Sequence, residues 1–369
     1  MLVDIDVSAR EETPSWVAYG TPLFAIAAAL AVSVVALIAI DVNPVAAYVQ
    51  MFVRPFGTVS TLSNVLVRAT PLILVGLGVY LPMKAGLWNI GAEGQLLTGA
   101  IVGTWIAINV SLPQAVLIPV MLAGAAVAGG LWAFVPALLR AKWGISEIIT
   151  TLLFTFIAAD IQLYLVRGPM QGGSGGFPQT DLLPGVAEFP AIPGTRAHVG
   201  LLVALLFVAL LYAVMRRTRF GFRVNFVGSN AEAAEQAGMS RYRVYLLTLV
   251  AGGALAGLAG ISEIAGNQSR LHASFAPGYG YTAVPIALLG RNGVSRMLLA
   301  ALFFALLFVG GNRVTVAMDV PAAIIDIVQA LVILFLITAE FFQRYSLSVS
   351  VDRGDDGQTI QGTEVSADD

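Results

Sequence analysis

The chain has 369 residues, 57% of them hydrophobic and only 11% charged, with a mean hydropathy of +0.83 and a net charge of −2. Soluble domains carry about 25% charged residues, so this composition excludes an ordinary soluble fold and points to lipid as the solvent. The absence of cysteine also excludes a disulfide framework, a thiolate zinc site and a thiol nucleophile.

Residues 1–16 form an acidic tail, and the apolar run Thr21–Ile40 that follows has no small-residue cleavage site. That pattern predicts a membrane helix, not a cleaved signal peptide. A helix needs about 20 apolar residues to cross the hydrocarbon. The second such run is Leu62–Met83, interrupted by Arg68 and Pro71. The uncharged stretch Gly94–Leu139 is too long for one span and is divided by the polar break Asn109–Gln114. Further runs follow at Ser146–Val166, Val199–Met215, Val244–Ser262, Met297–Gly311 and Val320–Ala339, with a short one at Tyr279–Gly290 that predicts a half-span. The expectation is an all-α polytopic membrane protein with ten spans over residues 17–345, and a second acidic tail, disordered, at 346–369.

An even number of spans puts both termini on one side. The loops on that side hold Lys84, Arg140, Lys142, Arg241, Arg243, Arg291, Arg296 and the cluster RRTRFGFR at Arg216–Arg223. The opposite loops hold Arg54, Arg167, Arg196, Arg270 and Arg313. Basic residues are retained in the cytoplasm, so both termini are expected there, in a cell membrane crossed many times. The glycine- and proline-rich segment 168–197 is then an external loop without regular helix, either a loose connector or a docking surface.

Polar groups in lipid face a cavity or a partner. In MKAGLWNIGAEGQLLTGAIVG (Met83–Gly103), Gly86, Gly91 and Gly94 predict a helix break, tolerated at membrane depth only where protein or water satisfies the freed backbone. Asn89, Glu93 and Gln95 on this break, with Glu147, Thr151 and Thr155 on the fifth run, are the candidates for the solute pathway or its gate. Amides and carboxylates suit sugar hydroxyls. Arg68, Asp160, Glu263 and Asp326 are expected to pair across helices. Gly253 and Gly257 form a small-xxx-small pair expected to pack helices closely.

The inner loop 216–243 contains GSNAEAAEQAGMSRYRV. Ser229 or Asn230 suits an N-cap, Glu232 falls in the first turn where the helix dipole favours an anion, and Gly238 is a natural stop. A short capped helix between two spans invites a protein partner. The residues Glu232, Ala233, Ala234 and Gly238 resemble the coupling motif of ATP-binding-cassette importer permeases, a helix that drops into a groove of the ATPase subunit.

Four further blocks resemble, in order, the permeases of nucleoside and simple-sugar importers, relatives of the ribose and branched-chain amino acid permeases. LWNIGAEGQLLTGA is similar to their (F/L)NIGAEGQ segment. GISEIITTLLFTFIAADIQLYLVRGP (Gly144–Pro169) follows, with Ser146 in place of the family's Asn and Phe154–Thr155 in place of Leu–Asn. GFRVNFVGSNAEAAEQAGMS with GALAGLAG, then GYGYTAVPIALLGRNGV, complete the set. The resemblance implies a translocating subunit for nucleosides or simple sugars such as ribose or glucose. It implies an ATPase subunit engaging Asn230, Glu232, Ala233, Ala234, Gly238 and Arg241, a second homologous permease in a heterodimer, and an external lipoprotein that binds the solute.

No G-x-x-x-x-G-K-[ST] loop occurs, since neither Lys84 nor Lys142 follows a glycine, so ATP hydrolysis is expected in another subunit. His198 and His272 have no Cys, Asp or Glu at ligand spacing. No catalytic residue, metal, cofactor or nucleic-acid site is expected. A branched-chain amino acid permease and an ion-gradient-driven transporter, the latter favoured by Asp160 and Asp326, remain the alternatives.

Overall fold

The computed structural model describes residues 2–9, 15–173 and 176–352; the remainder, including most of the expected C-terminal tail, lies outside the described residues. In chain order the elements are β1 (Leu2–Ala9), α1 (Ser15–Ile38), α2 (Pro44–Tyr48), α3 (Val59–Lys84), α4 (Ala92–Asn109), α5 (Gln114–Trp143) and α6 (Glu147–Arg167). They continue with α7 (Gly200–Arg217), α8 (Arg219–Ser229), α9 (Ala231–Gln236), α10 (Arg241–Glu263), α11 (Tyr279–Leu289), α12 (Val294–Met318), α13 (Ala322–Arg344) and β2 (Tyr345–Asp352).

Among the described residues, 8 helices are long and apolar enough to cross a membrane. They carry the expected runs except two. The third run forms α4, whose first turn holds Glu93 and Gln95, and the short eighth run forms the 11-residue α11. The protein is an all-α polytopic membrane protein. Its strands form one antiparallel ribbon, Leu2 opposite Asp352 through Ala9 opposite Tyr345, which brings the two ends together beside the packed pair α1 and α13.

Helix α10 is the spine, packed against α3, α4 and α5. Its glycines make this possible. A Cβ at Gly253 would strike the Gly129 carbonyl, one at Gly257 the Ala125 carbonyl, and one at Gly252 the Gly78 carbonyl. In lipid no hydrophobic force drives helices together, so such close backbone approach supplies the attraction. The expected packing role of Gly253 and Gly257 is what the structure has.

Two elements have no counterpart in the apolar pattern. Residues 44–56 fold into α2 followed by a π turn and a 3-10 turn, with Met51 laid against Gly310 of α12. Helix α8 precedes α9 and buries Gly221, Val224 and Val227. The segment 168–199 has no regular helix, yet it is tied down. Thr180 N–H donates to Leu271 O (2.9 Å), Leu183 N–H to Ser269 O (2.8 Å) and Phe189 N–H to Ala265 O (2.9 Å).

Candidate functional site: a junction of broken helices wired to an exposed loop helix

Between α3 and α4 the chain leaves helical geometry over Ala85–Gly91, where Gly86 takes a left-handed φ of 81°. Gly94, expected to share in the break, lies inside α4 instead. A Cβ there would press on the backbone of Thr155, and one at Gly91 would overlap Thr151. These glycines let α4 and α6 touch.

The break folds back into the bundle. Asn89 and Gln95 exchange two amide hydrogen bonds, each 2.8 Å, and Asn89 Nδ2 also donates to Gly78 O at 3.3 Å. Gly78 lies well inside α3, so α4 begins within the membrane domain and not at its edge. Helix α11 begins there too. Glu93 accepts from Gly278 N–H (2.9 Å) and Gly280 N–H (2.7 Å), placing its carboxylate on the positive end of α11, where the dipole and the free N–H groups favour an anion. Two helices, the 18-residue α4 and the 11-residue α11, thus start face to face, joined by one buried acidic side chain.

Glu147 closes the other flank. It accepts from Trp88 N–H at 3.1 Å and pairs with Arg140 at 3.1 Å. Thr151 and Thr155 return their hydroxyls to their own helix, Thr151 to Glu147 O at 2.6 Å and Thr155 to Thr151 O at 3.3 Å. The structure therefore gathers Asn89, Glu93, Gln95, Glu147, Thr151 and Thr155 into one region, and all six are buried. The polar atoms of Asn89, Glu93, Gln95 and Glu147 tie the break to its neighbours. Of the other intramembrane charges, Arg68 pairs with Glu263 at 3.6 Å, a partner the sequence could not name. Asp160 and Asp326 are exposed and form no ion pair among the described residues.

On the α7–α10 side, α9 is the expected capped helix. Asn230 is its N-cap and accepts from Ala233 N–H at 2.9 Å, Glu232 is in the first turn, and Gly238 takes a φ of 77° just past the end. Only Ala234 is buried, anchoring the helix from beneath, while Glu232, Glu235 and Gly238 are exposed. Arg241 pairs with Glu235 at 3.2 Å across the turn. Helix α8 links this loop to the break: Gly228 lies on the Lys84 carbonyl, with its Cα and carbonyl 3.6 Å from where a Cβ on Gly86 would sit. Sequence reasoning missed Gly228, whose only signal was a glycine near the end of an amphipathic stretch.

Residues 61–337 match the family described as the permease component of branched-chain amino acid transport systems. The chain is 57% identical over 364 residues to the glucose ABC transporter permease protein of Haloferax volcanii, 96% of each chain being covered. It belongs to this permease family. Two further permeases are 31% identical: the guanosine ABC transporter permease protein of Bacillus subtilis, over 85% of this chain and 92% of that one, and the nucleoside ABC transporter permease protein of Lactococcus lactis, over 85% and 89%. From each of these three organisms a second, more distant permease is also similar, at 28%, 25% and 23% identity. The protein is thus the membrane permease component of an ABC importer, a class that works with an ATPase and a binding protein.

Proposed function

We propose that this permease passes a simple sugar, glucose first, handed over by an external lipoprotein, and that a separate ATPase drives it by gripping α9. The solute follows from the nearly full-length similarity to a glucose permease; the more distant guanosine and nucleoside permeases favour a nucleoside as the second reading. One observation carries the mechanism. An exposed, capped helix is wired through Gly228 to a break whose far side holds the start of α11.

The side bearing α9 is cytoplasmic in this reading, and so are both termini, an orientation that the basic-residue bias supports. ATP binding draws two ATPase subunits together and pushes α9. Helix α8 carries the push to Lys84–Gly86, and the Asn89–Gln95 pair transmits it to α4. Glu93 then tilts or releases α11, and the path opens inward. The buried polar set acts on the gate and does not contact solute in this conformation.

The path is shared with a second, homologous permease. Asp160 lies midway along α6, exposed among Phe156, Ile157, Ile161 and Tyr164. A carboxylate bare to lipid is costly, so this face suits a protein neighbour. That each of three organisms has two different permeases similar to this chain supports two different halves.

The test is uptake by proteoliposomes holding both permeases, the ATPase and the binding protein. Labelled glucose should accumulate only with ATP inside the cytoplasmic compartment, and a protonophore should leave uptake unchanged. Deleting Ala231–Gly238 should preserve membrane insertion and abolish both uptake and binding-protein-stimulated ATP hydrolysis. Normal coupling after the deletion defeats the mechanism; uptake that collapses with the proton gradient favours an ion-driven transporter.

A further inference from the structure

On the side of the Glu93 junction away from α9, a recess of about 240 Å³ opens between α3, the π turn that ends α10, and α12. Its lining is unusual for a membrane bundle: Asn64, Arg68, Asn267, Asn312 and Arg313 share it with Phe308. Two arginines and three amides in this position would be expensive against hydrocarbon, so the recess is wet or covered by polar groups. Arg68 ties the lining to what lies behind it. The guanidinium pairs with Glu263 at 3.6 Å and sits 5.5 Å above the Tyr279 ring. Asn267 Nδ2 donates to the same Glu263 carboxylate at 2.7 Å, and Gln268 Nε2 does so at 3.2 Å.

The network is incomplete. Glu263 Oε2, Tyr279 Oη and Arg313 Nε are buried polar atoms with no hydrogen-bond partner. Glu263 and Tyr279 are buried behind the lining, whereas Arg313 belongs to it; buried polar groups are almost always satisfied, so the unmet Arg313 Nε calls for a ligand that accepts. Tyr279 follows Gly278, whose N–H is held by Glu93, so Arg68, stacked on the Tyr279 ring, links the lining to the start of α11. Phe308 adds an apolar wall, backed by Tyr279 with ring centroids 6.3 Å apart.

We propose that this recess is the solute-contact site of the path, taking a neutral polyhydroxylated ring whose hydroxyls bridge the asparagine amides and the two guanidinium groups of the lining. It rests on the transport reading above and gives that reading its binding residues. Hydroxyl groups, each of which donates and accepts, suit amides and guanidinium groups together, and Glu263 behind the lining offsets the charge of Arg68, which makes the recess less suited to a bare anion.

Because the chain has no cysteine, Asn312→Cys and Asn267→Cys each report on the recess alone. In the assembled transporter both cysteines should react with a membrane-impermeant maleimide, and glucose delivered by the binding protein should slow that reaction at least threefold. Arg313→Gln and Asn312→Ala should cut glucose uptake fivefold or more and alter the preference between glucose and guanosine, at an unchanged yield of assembled transporter. Cysteines that do not label, or that label with no protection while the variants transport normally, overturn the site. Protection by phosphate or chloride and not by glucose overturns the ring assignment. If wild-type vesicles take up no solute, the transport reading fails instead, and that outcome is separate from all of these.

Discussion

At Glu93 one buried carboxylate holds two backbone N–H groups of another helix. Glu93→Gln keeps the shape but leaves an amide that can accept at one atom only, stranding an N–H. An unsatisfied buried donor costs about 1–3 kcal/mol, so thermal unfolding of the purified variant in detergent should shift downward. Uptake should fall further than stability, since the gate loses its link to α11. His198 offers a second test away from the spans. It is buried against Phe189, with neither ring nitrogen bonded, and burial pushes its pKa down to about 4. The unfolded imidazole takes up a proton near pH 6.5, so below that pH the unfolded state binds more protons than the folded one. Stability is therefore full above about pH 6.5 and drains away as pH falls toward 4, by up to about 3 kcal/mol. His198→Phe should flatten this acid sensitivity, leaving the smaller contribution of His272, whose pKa is lowered by burial and then by Arg270. An unchanged pH profile would show that the ring is not desolvated.

Among elements, α9 ends where Gly238 adopts a left-handed φ of 77°. Gly238→Ala forces a side chain into that region at a cost of about 1–2 kcal/mol, which frays the last turn. Coupled ATP hydrolysis should drop while binding of solute to the external protein does not change. In α10 the same glycine-to-larger logic is harsher, because neighbours are backbone and cannot yield. Gly253→Leu should cost about 3 kcal/mol or more and reduce the yield of folded protein on size-exclusion chromatography. The elements themselves were largely legible. Long apolar runs named the spans, and Asn230, Glu232 and Gly238 marked α9 by cap, dipole and stop. Two things were not legible. Helix α8 and the turns over 44–56 have no long apolar run, because each buries only a few residues against neighbours distant in sequence. The Glu93–Gly278 and Arg68–Glu263 contacts join residues far apart along the chain, and nothing local in either partner encodes the other.

For the whole molecule, the neighbour of α6 can be read out with a single introduced cysteine. Asp160→Cys should cross-link to the second permease half in membranes holding the full transporter, and Asp160→Leu should weaken that assembly without blocking insertion. Labelling of the introduced thiol by a lipid-phase reagent instead would place the face against lipid. The polar residues of the break were expected at the solute pathway or its gate; Asn89 and Gln95 bond to each other and Asn89 also to Gly78, a buried pairing that fits the gate proposed above. The glycine contacts of the α10 spine have one more outcome. Where two main chains already touch, no residue can slip past another by a turn, so the spine with α3, α4 and α5 swings as a single block or not at all. In the mechanism proposed above, widening then falls to α11 and to the seam with the proposed second permease. A compound wedged in that seam would stall the cycle, whereas one lodged inside the block would find nothing there to jam.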